Sequence, residues 1–460
     1  MEADEGELPW AQCRACGSRL SYQLDAASAR GKPWFTDRAG IWRYSPLLPH
    51  VGLEEPLSMG EGATSLTQAV RLGKELGIPR LLLKDETRNP TGSFRDRAAS
   101  LLVSDAWARG FKATVAASNG NIGASLAAYT AKAGLECHVV VPRRVDEGKL
   151  AQMLIYDADI EEHGEYVDES VERAEKWAAE TGWYQATPEL NPLAVEAQKT
   201  IAYELAEKAG QEIDVVVAAM GSGSTVYAVW KGFQELRELG LLDALPRLVG
   251  VQAEGCAPIV NAFHEGGQVR SVERAETKAL AILVKRPLMG SLALAALKAS
   301  KGSAVTVSDV EMLDGERLLA RLEGVFVEPS SASTIASLPK LVENGTIARD
   351  ETVVSLLTGS GLKTPGILTM LARRRRARVM RLQAGMKVKI LELLASEPTH
   401  GYDLWKGLGE SITLQAVYQH LAALERRGLI VRSDEAGRKV YRLTGRGRRL
   451  LAALSELEAL

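Results

Sequence analysis

The sequence is poor in cysteine and has no long apolar run, and its first residues carry no basic cluster. Only 4 cysteines occur in 460 residues, too few for the disulfide framework of a small secreted domain. Two of them, Cys13 and Cys16, form a single CxxC pair. A tetrahedral structural zinc site needs four ligands, usually two such pairs. No second pair follows, so the segment reads as a degenerate ribbon and no metal is expected. Cys137 sits in an apolar strand-like run, Cys137 to Val141, and reads as buried filler. No window holds the roughly 18 unbroken apolar residues of a membrane span. The opening stretch MEADEGELPW is acidic and has neither the basic start nor the apolar core of a signal peptide. The expectation is a cytoplasmic protein with no membrane contact.

Charge is present but unevenly spread. The formal net charge is −2, yet from Arg373 onward 18 basic residues face 9 acidic ones. The remainder is acidic, with 38 Lys+Arg against 49 Asp+Glu. An acidic body and a basic tail suggest two jobs, the tail facing an anion such as DNA. The length suits about three ordinary domains.

The most informative stretch is Leu81 to Arg97, LLLKDETRNPTGSFRDR. Its apolar start reads as a buried parallel strand. It turns through Asn89-Pro90-Thr91-Gly92 and restarts as helix from Ser93. The run resembles the pyridoxal-phosphate loop of threonine synthases and their fold-type II relatives. In that family a Lys after the Phe carries pyridoxal phosphate as a Schiff base; the matching residue here is Arg95. A Schiff base needs a neutral amine, which Lys can supply when desolvated. Arg stays protonated, so it forms no such bond, although its planar fork suits a phosphate or carboxylate. The resemblance sets Asn89, Thr91 and Ser93 near the ligand.

Further motifs follow in the family's order. Glu61 to Leu66 resembles its E-G-x-T-P-L segment, with a helix expected over Gln68 to Leu76 and Gly77 as its stop. Ala113 to Pro142 reads as strand, glycine turn, helix, strand, a βαβ unit. Its turn, Ser118 to Asn121, opens a helix whose free amides suit an anion. The resemblance places Ser118 and Asn121 at the cofactor, Asn121 against the 3-oxygen of the ring. Asp214 to Ala219 reads as a strand, followed by Gly221, Ser222, Gly223, Ser224 and Thr225 and then a helix. Small residues let backbone close around a phosphate at a helix N-terminus, and these five are assigned to the cofactor phosphate. Phe326 to Ser333 resembles the V-E-P-A-S-A stretch. It puts Glu328 either near the ligand or at a helix entrance. Val353 to Lys363 resembles L-T-G-H-G-L-K. The resemblance turns Thr358 toward the pyridine nitrogen, which a hydroxyl leaves unprotonated. Ser360 replaces the usual His. Lys84 and Lys363 are motif positions with other roles.

In the tail, Arg373 to Arg376 and Arg378 read as a phosphate-contacting arm or a solvated linker. From Lys387 the pattern is helix, helix, helix, hairpin, helix. It resembles a PadR/ArsR-type winged helix-turn-helix. Its third helix, Thr413 to Arg427, would expose Thr413, Gln415, Tyr418 and Gln419 to a major groove. Arg432, Arg438, Lys439 and Arg442 on the wing would meet phosphate or minor groove. The fold also serves as a protein-interaction module.

The expected architecture is α/β. A two-subdomain fold-type II body with parallel sheets would span residues 51–370, its smaller mobile part at about residues 95–185. A ribbon-like segment precedes it at 1–50, and a basic linker at 371–386 leads to the winged helix at 387–460. The expected function is a ligand-responsive DNA-binding regulator with a disabled threonine-synthase-like domain. Pyridoxal phosphate would be held non-covalently beside an amino-acid-type ligand. The implied partners are double-stranded DNA and a second copy of the chain. The alternative is a working threonine synthase, converting O-phosphohomoserine to threonine, with an accessory winged helix.

Overall fold

Short apolar runs such as Leu81–Leu83, Val215–Ala219 and Val353–Leu357 alternate with helices through much of the chain, and these runs become strands. The computed structural model describes residues 8, 10, 20–209, 212–364, 385–435 and 438–458. The CxxC pair and the Arg373–Arg378 run lie outside the described residues, as does most of the expected 371–386 linker. The chain divides into two compact units, residues 1–366 and 367–460.

The strands of the first unit are β1 (Ser65–Gln68), β2 (Leu81–Asp85), β3 (Ala113–Ala117), β4 (Glu136–Val141) and β5 (Asp159–Glu162). They continue as β6 (Tyr184–Gln185), β7 (Val215–Ala219), β8 (Arg247–Ala253), β9 (Ser303–Val307) and β10 (Val353–Leu357). Two sheets form. One has the order β1-β2-β10-β7-β8-β9, the other β5-β4-β3-β6. All pairings are parallel except β1 with β2. Helices cover both faces, so the central strands are apolar on both sides. Val215, Val217, Val353 and Leu357 feed one core, while Val216, Ala218, Val354 and Leu356 feed the core on the opposite face.

Two expectations shift at their edges. Gln68 belongs to β1, and the helix begins only at Val70. The backbone of Ser65–Gln68 pairs with β2, and that tertiary ladder outweighs the local helical pattern. The helix expected from Ser93 starts at Arg95, because Ser93 bridges Gly359 in extended pairing.

In the second unit a helix over residues 385–396 is followed by β11 (Thr399–His400), the helix Gly401–Gly407, and the helix Leu414–Arg426 capped by Thr413. Then come β12 (Ile430–Glu435), β13 (Arg438–Leu443) and the helix Gly445–Glu458. The wing is three-stranded, in the order β11-β13-β12. The two-residue β11 gives no sequence signal. Ile390, Leu394, Leu404, Val417, Leu421, Leu424 and Tyr441 form a separate core. The apolar face read from the third helix is therefore the one that packs.

Candidate ligand cavity and DNA-reading helix

Three distant motifs meet because their loops pair with one another through the backbone. Phe94 N donates to Thr358 O at 2.9 Å, Ser360 N to Gly92 O at 2.9 Å, and Glu328 N to Gly359 O at 3.0 Å. These bonds fix the ends of β2 and β10 and the start of the helix Pro329–Glu343 as one platform. At the C-terminal strand ends, between the two sheets, lies a cavity. Open α/β sheets receive ligands at this place.

The cavity is lined by Arg95, Ser118, Asn121, Gly221, Ser222, Gly223, Ser224, Thr225, Glu328 and Thr358, all singled out from sequence. Asn89, Thr91, Ser93 and Ser360 do not line it. Asn89 accepts from Gly62 N and donates to Glu86. Thr91 donates to Asp96. Ser93 Oγ is buried without a partner among the described residues. Ser360 caps the short helix Gly361–Lys363. These four shape the loop behind the cavity wall.

Gly221 to Thr225 make a close-fitting cup at the N-terminus of the helix Ser224–Glu238. Gly223 has φ +94°, and a Cβ there would lie 2.8 Å from Ala293 Cβ and 3.0 Å from Met289 O. Glycine is required at that point by both conformation and space. In the neighbouring turn Ser118 Oγ accepts from Gly120 N and Gly123 N, at 2.9 and 2.8 Å. It thus holds the turn's own amides in place.

Asn121 Nδ2 donates to both Glu328 oxygens, at 2.9 and 3.1 Å, while its Oδ1 has no partner among the described residues. Lys149 Nζ is 2.9 Å from Glu328 and 2.7 Å from Asp146. Burial lowers the affinity of its amine for the proton, but Glu328 and Asp146 outweigh burial and raise it. Glu328 stands at the N-cap position of the helix Pro329–Glu343 without making a side-chain cap bond. Its carboxylate faces Asn121 and Lys149 instead. Thr358 Oγ1 lies 3.0 Å from Ser331 Oγ.

Arg95 Nη1 is buried with no hydrogen-bond partner among the described residues, and its guanidinium lies 4.7 Å over the Phe94 ring. Burial lowers its pKa, while the charges of Glu189 and Glu328 oppose that shift. Neither motif lysine reaches the cavity wall. Lys84 Nζ contacts Glu204 at 2.5 Å and Thr64 O at 2.9 Å. Lys363 Nζ donates to Thr91 O at 2.8 Å, and burial pushes its amine down to about 8.

Lys149, Asp168, Glu189 and Arg286 were not legible as site residues. Lys149 sits in an ordinary amphipathic helix, Glu189 between two loop prolines, and neither belongs to a motif. Among the described residues, no group of three or more His, Cys, Asp or Glu is placed to hold a metal. Cys137 and Cys256 are buried and unpaired.

On the second unit Thr413, Gln415, Tyr418 and Gln419 are exposed along one side of their helix, although Thr413 Oγ1 is occupied in accepting from Ala416 N. Arg432, Lys439 and Arg442 are exposed on the wing. Arg442 pairs with Glu435 inside the hairpin. Arg438 lies on β13 by its backbone.

Comparison with known proteins accords with both units. Residues 57–359 match the family "Pyridoxal-phosphate dependent enzyme", and residues 390–453 match the "Transcriptional regulator PadR-like family". A threonine synthase of Methanocaldococcus jannaschii is 41% identical over 329 residues, 71% of this chain and 81% of that protein. One of Mycobacterium tuberculosis is 40% identical over 339 residues, 74% of this chain and 91% of that protein. Among solved structures, maize serine racemase superposes with a TM-score of 0.57 at 18% identity, covering 68% of this chain and 93% of that one. A T.th. threonine deaminase gives 0.53 at 27%, covering 65% and 92%.

The family's cofactor is pyridoxal phosphate, which supplies an electrophilic aldehyde on an electron-withdrawing ring. Gly221 to Thr225 would hold its phosphate, at a helix N-terminus where Gly223 takes a positive φ. Thr358 would face the ring nitrogen and Asn121 the ring oxygen. Among the described residues, no lysine lines the cavity to meet the aldehyde. The chain belongs to the pyridoxal-phosphate dependent enzyme family, with threonine synthases as relatives, and carries a PadR-like winged helix domain at its C-terminal end.

Proposed function

We propose that the protein is a transcriptional regulator whose first unit receives pyridoxal phosphate and an amino-acid-type ligand without covalent capture, and whose second unit binds DNA. One observation carries this reading: Arg95 lines the cavity where the resemblance requires the Schiff-base Lys, and its Nη1 has no partner among the described residues. A guanidinium there receives carboxylate or phosphate by paired hydrogen bonds. It supplies no nucleophile and shuttles no proton at substrate carbons. Cofactor binding then becomes an equilibrium that ligand concentration can set, as a sensor needs. A ligand shifts DNA affinity only by its difference in affinity between the two states. A homodimer would present two recognition helices to a palindromic site.

The test is DNA binding by the full chain, to sites selected from genomic fragments, with and without pyridoxal phosphate and amino acids. The expected result is a change in DNA affinity of about fivefold or more on adding ligand. Threonine formation from O-phosphohomoserine by the Arg95 protein would overturn the proposal.

The second reading is an active threonine synthase with an accessory winged helix. It is favoured by 41% identity over 81% of a threonine synthase. It needs another amine, and Lys363, pushed down to about 8, would have to leave Thr91 O and turn into the cavity to serve. A Lys363→Gln variant that abolished threonine formation would support this second reading.

A further inference from the structure

Glu189 belongs to none of the family motifs, yet it stands inside the phosphate cup. It lies in the loop between β6 and the helix Leu193–Ala209 and lines the same cavity as Arg95. Its Oε1 accepts a hydrogen bond from Ser222 Oγ at 2.8 Å, and Ser222 Oγ is 3.3 Å from Ser224 Oγ. A carboxylate of the chain therefore takes a donor that a phosphate in this cup would use. The cup's amides and helix dipole suit one anion; a second anion at the same hydroxyl is repelled. Glu189 also borders a neighbouring cavity lined by Tyr22, Tyr227 and Lys231. That space gives the side chain somewhere to turn when the cup is filled.

We propose that Glu189 is a specificity-determining residue that sets the charge the cup accepts, penalising a phosphate dianion relative to an uncharged group in the same place. Binding of pyridoxal phosphate must break the Glu189–Ser222 bond or bear the repulsion. Pyridoxal has the same ring and aldehyde but a hydroxymethyl group in place of the phosphate ester. It leaves that bond intact. The inference rests on the reading that this cavity receives the vitamer without a covalent anchor. Two unit charges about 4 Å apart change a binding constant by about fivefold in water, and by far more in a partly buried site.

The experiment titrates the full-length protein with pyridoxal phosphate and, separately, pyridoxal, by calorimetry. Wild type is compared with Glu189→Gln and Glu189→Ser, each checked for an unchanged melting temperature. Both variants are expected to gain about tenfold or more in affinity for pyridoxal phosphate, and less than about twofold for pyridoxal. An unchanged ratio between the two vitamers would overturn the role of Glu189 and leave the cavity reading standing. Binding of neither vitamer by wild type or variants would overturn both.

Discussion

Arg95 is the residue on which the proposed reading of the body turns. Burial lowers its pKa against the opposing charges of Glu189 and Glu328, and a guanidinium offers no amine for a Schiff base. Borohydride treatment of wild type with pyridoxal phosphate is therefore expected to leave the intact mass unchanged. Arg95→Lys places an amine at the cavity wall and is expected to gain the mass of one reduced cofactor. A second residue makes a pH prediction. Glu316 is buried, both its carboxyl oxygens are unpartnered among the described residues, and burial together with Glu328 raises its pKa to about 7. The folded state thus binds a proton that the unfolded state has released above about 4.5, so stability falls as pH rises through this range. Glu316→Gln is expected to stabilise the body by about 1–2 kcal/mol at pH 8 and by little at pH 5, read from melting temperatures. Arg95 was legible because it breaks a dense motif. Glu189 and Lys149 were not, because only the packing of loops far apart in sequence gives their charges a role.

At the scale of elements, the cup of Gly221 to Thr225 and the motif loop depend on different physics. The cup depends on backbone conformation. Gly223→Ala forces a Cβ into a left-handed residue against Ala293 and Met289. The expected outcome is a loss of about 1–3 kcal/mol in stability and of measurable binding of pyridoxal phosphate. The motif loop depends on a buried charge network. Arg97 joins Glu86 and Glu204, and Lys84 joins Glu204, all with side chains at most 2% exposed. Burial would raise the Glu204 carboxyl, yet Arg97 and Lys84 outweigh it and hold the pKa at about 2. Its stabilising contribution is complete above about 4.5 and is lost as pH falls toward 2. Glu204→Gln leaves two cations short of their partner and is expected to cost about 3–5 kcal/mol in denaturant unfolding. The strand beginning at Leu81 and the turns after β3 and β7 could be read from apolar runs and glycines. The pairing of Gln68 and of Thr399–His400 could not, since strand ladders of two to four residues are decided by their partners.

At the scale of the whole molecule, the sequence's charge asymmetry follows its division into two units. An acidic body and a basic winged helix are different electrostatic objects on one chain. The winged helix makes the sharper prediction, because phosphate contacts and base contacts respond differently to salt. Lys439 is exposed on β13 and Gln415 and Gln419 on the helix Leu414–Arg426. Arg442 is already paired with Glu435, so it has less charge to offer. Each phosphate contact releases counterions and adds about −0.9 to the slope of log affinity against log salt. Lys439→Ala is therefore expected to weaken binding on all sequences and make the slope shallower by about 1, measured by fluorescence anisotropy across a salt series. Arg442→Ala should change the slope less. Gln415→Ala and Gln419→Ala should leave the slope unchanged while reducing the preference for the selected site by about 1–3 kcal/mol each. If all four substitutions instead left both slope and preference unchanged, the second unit would be an interaction module for protein rather than for DNA.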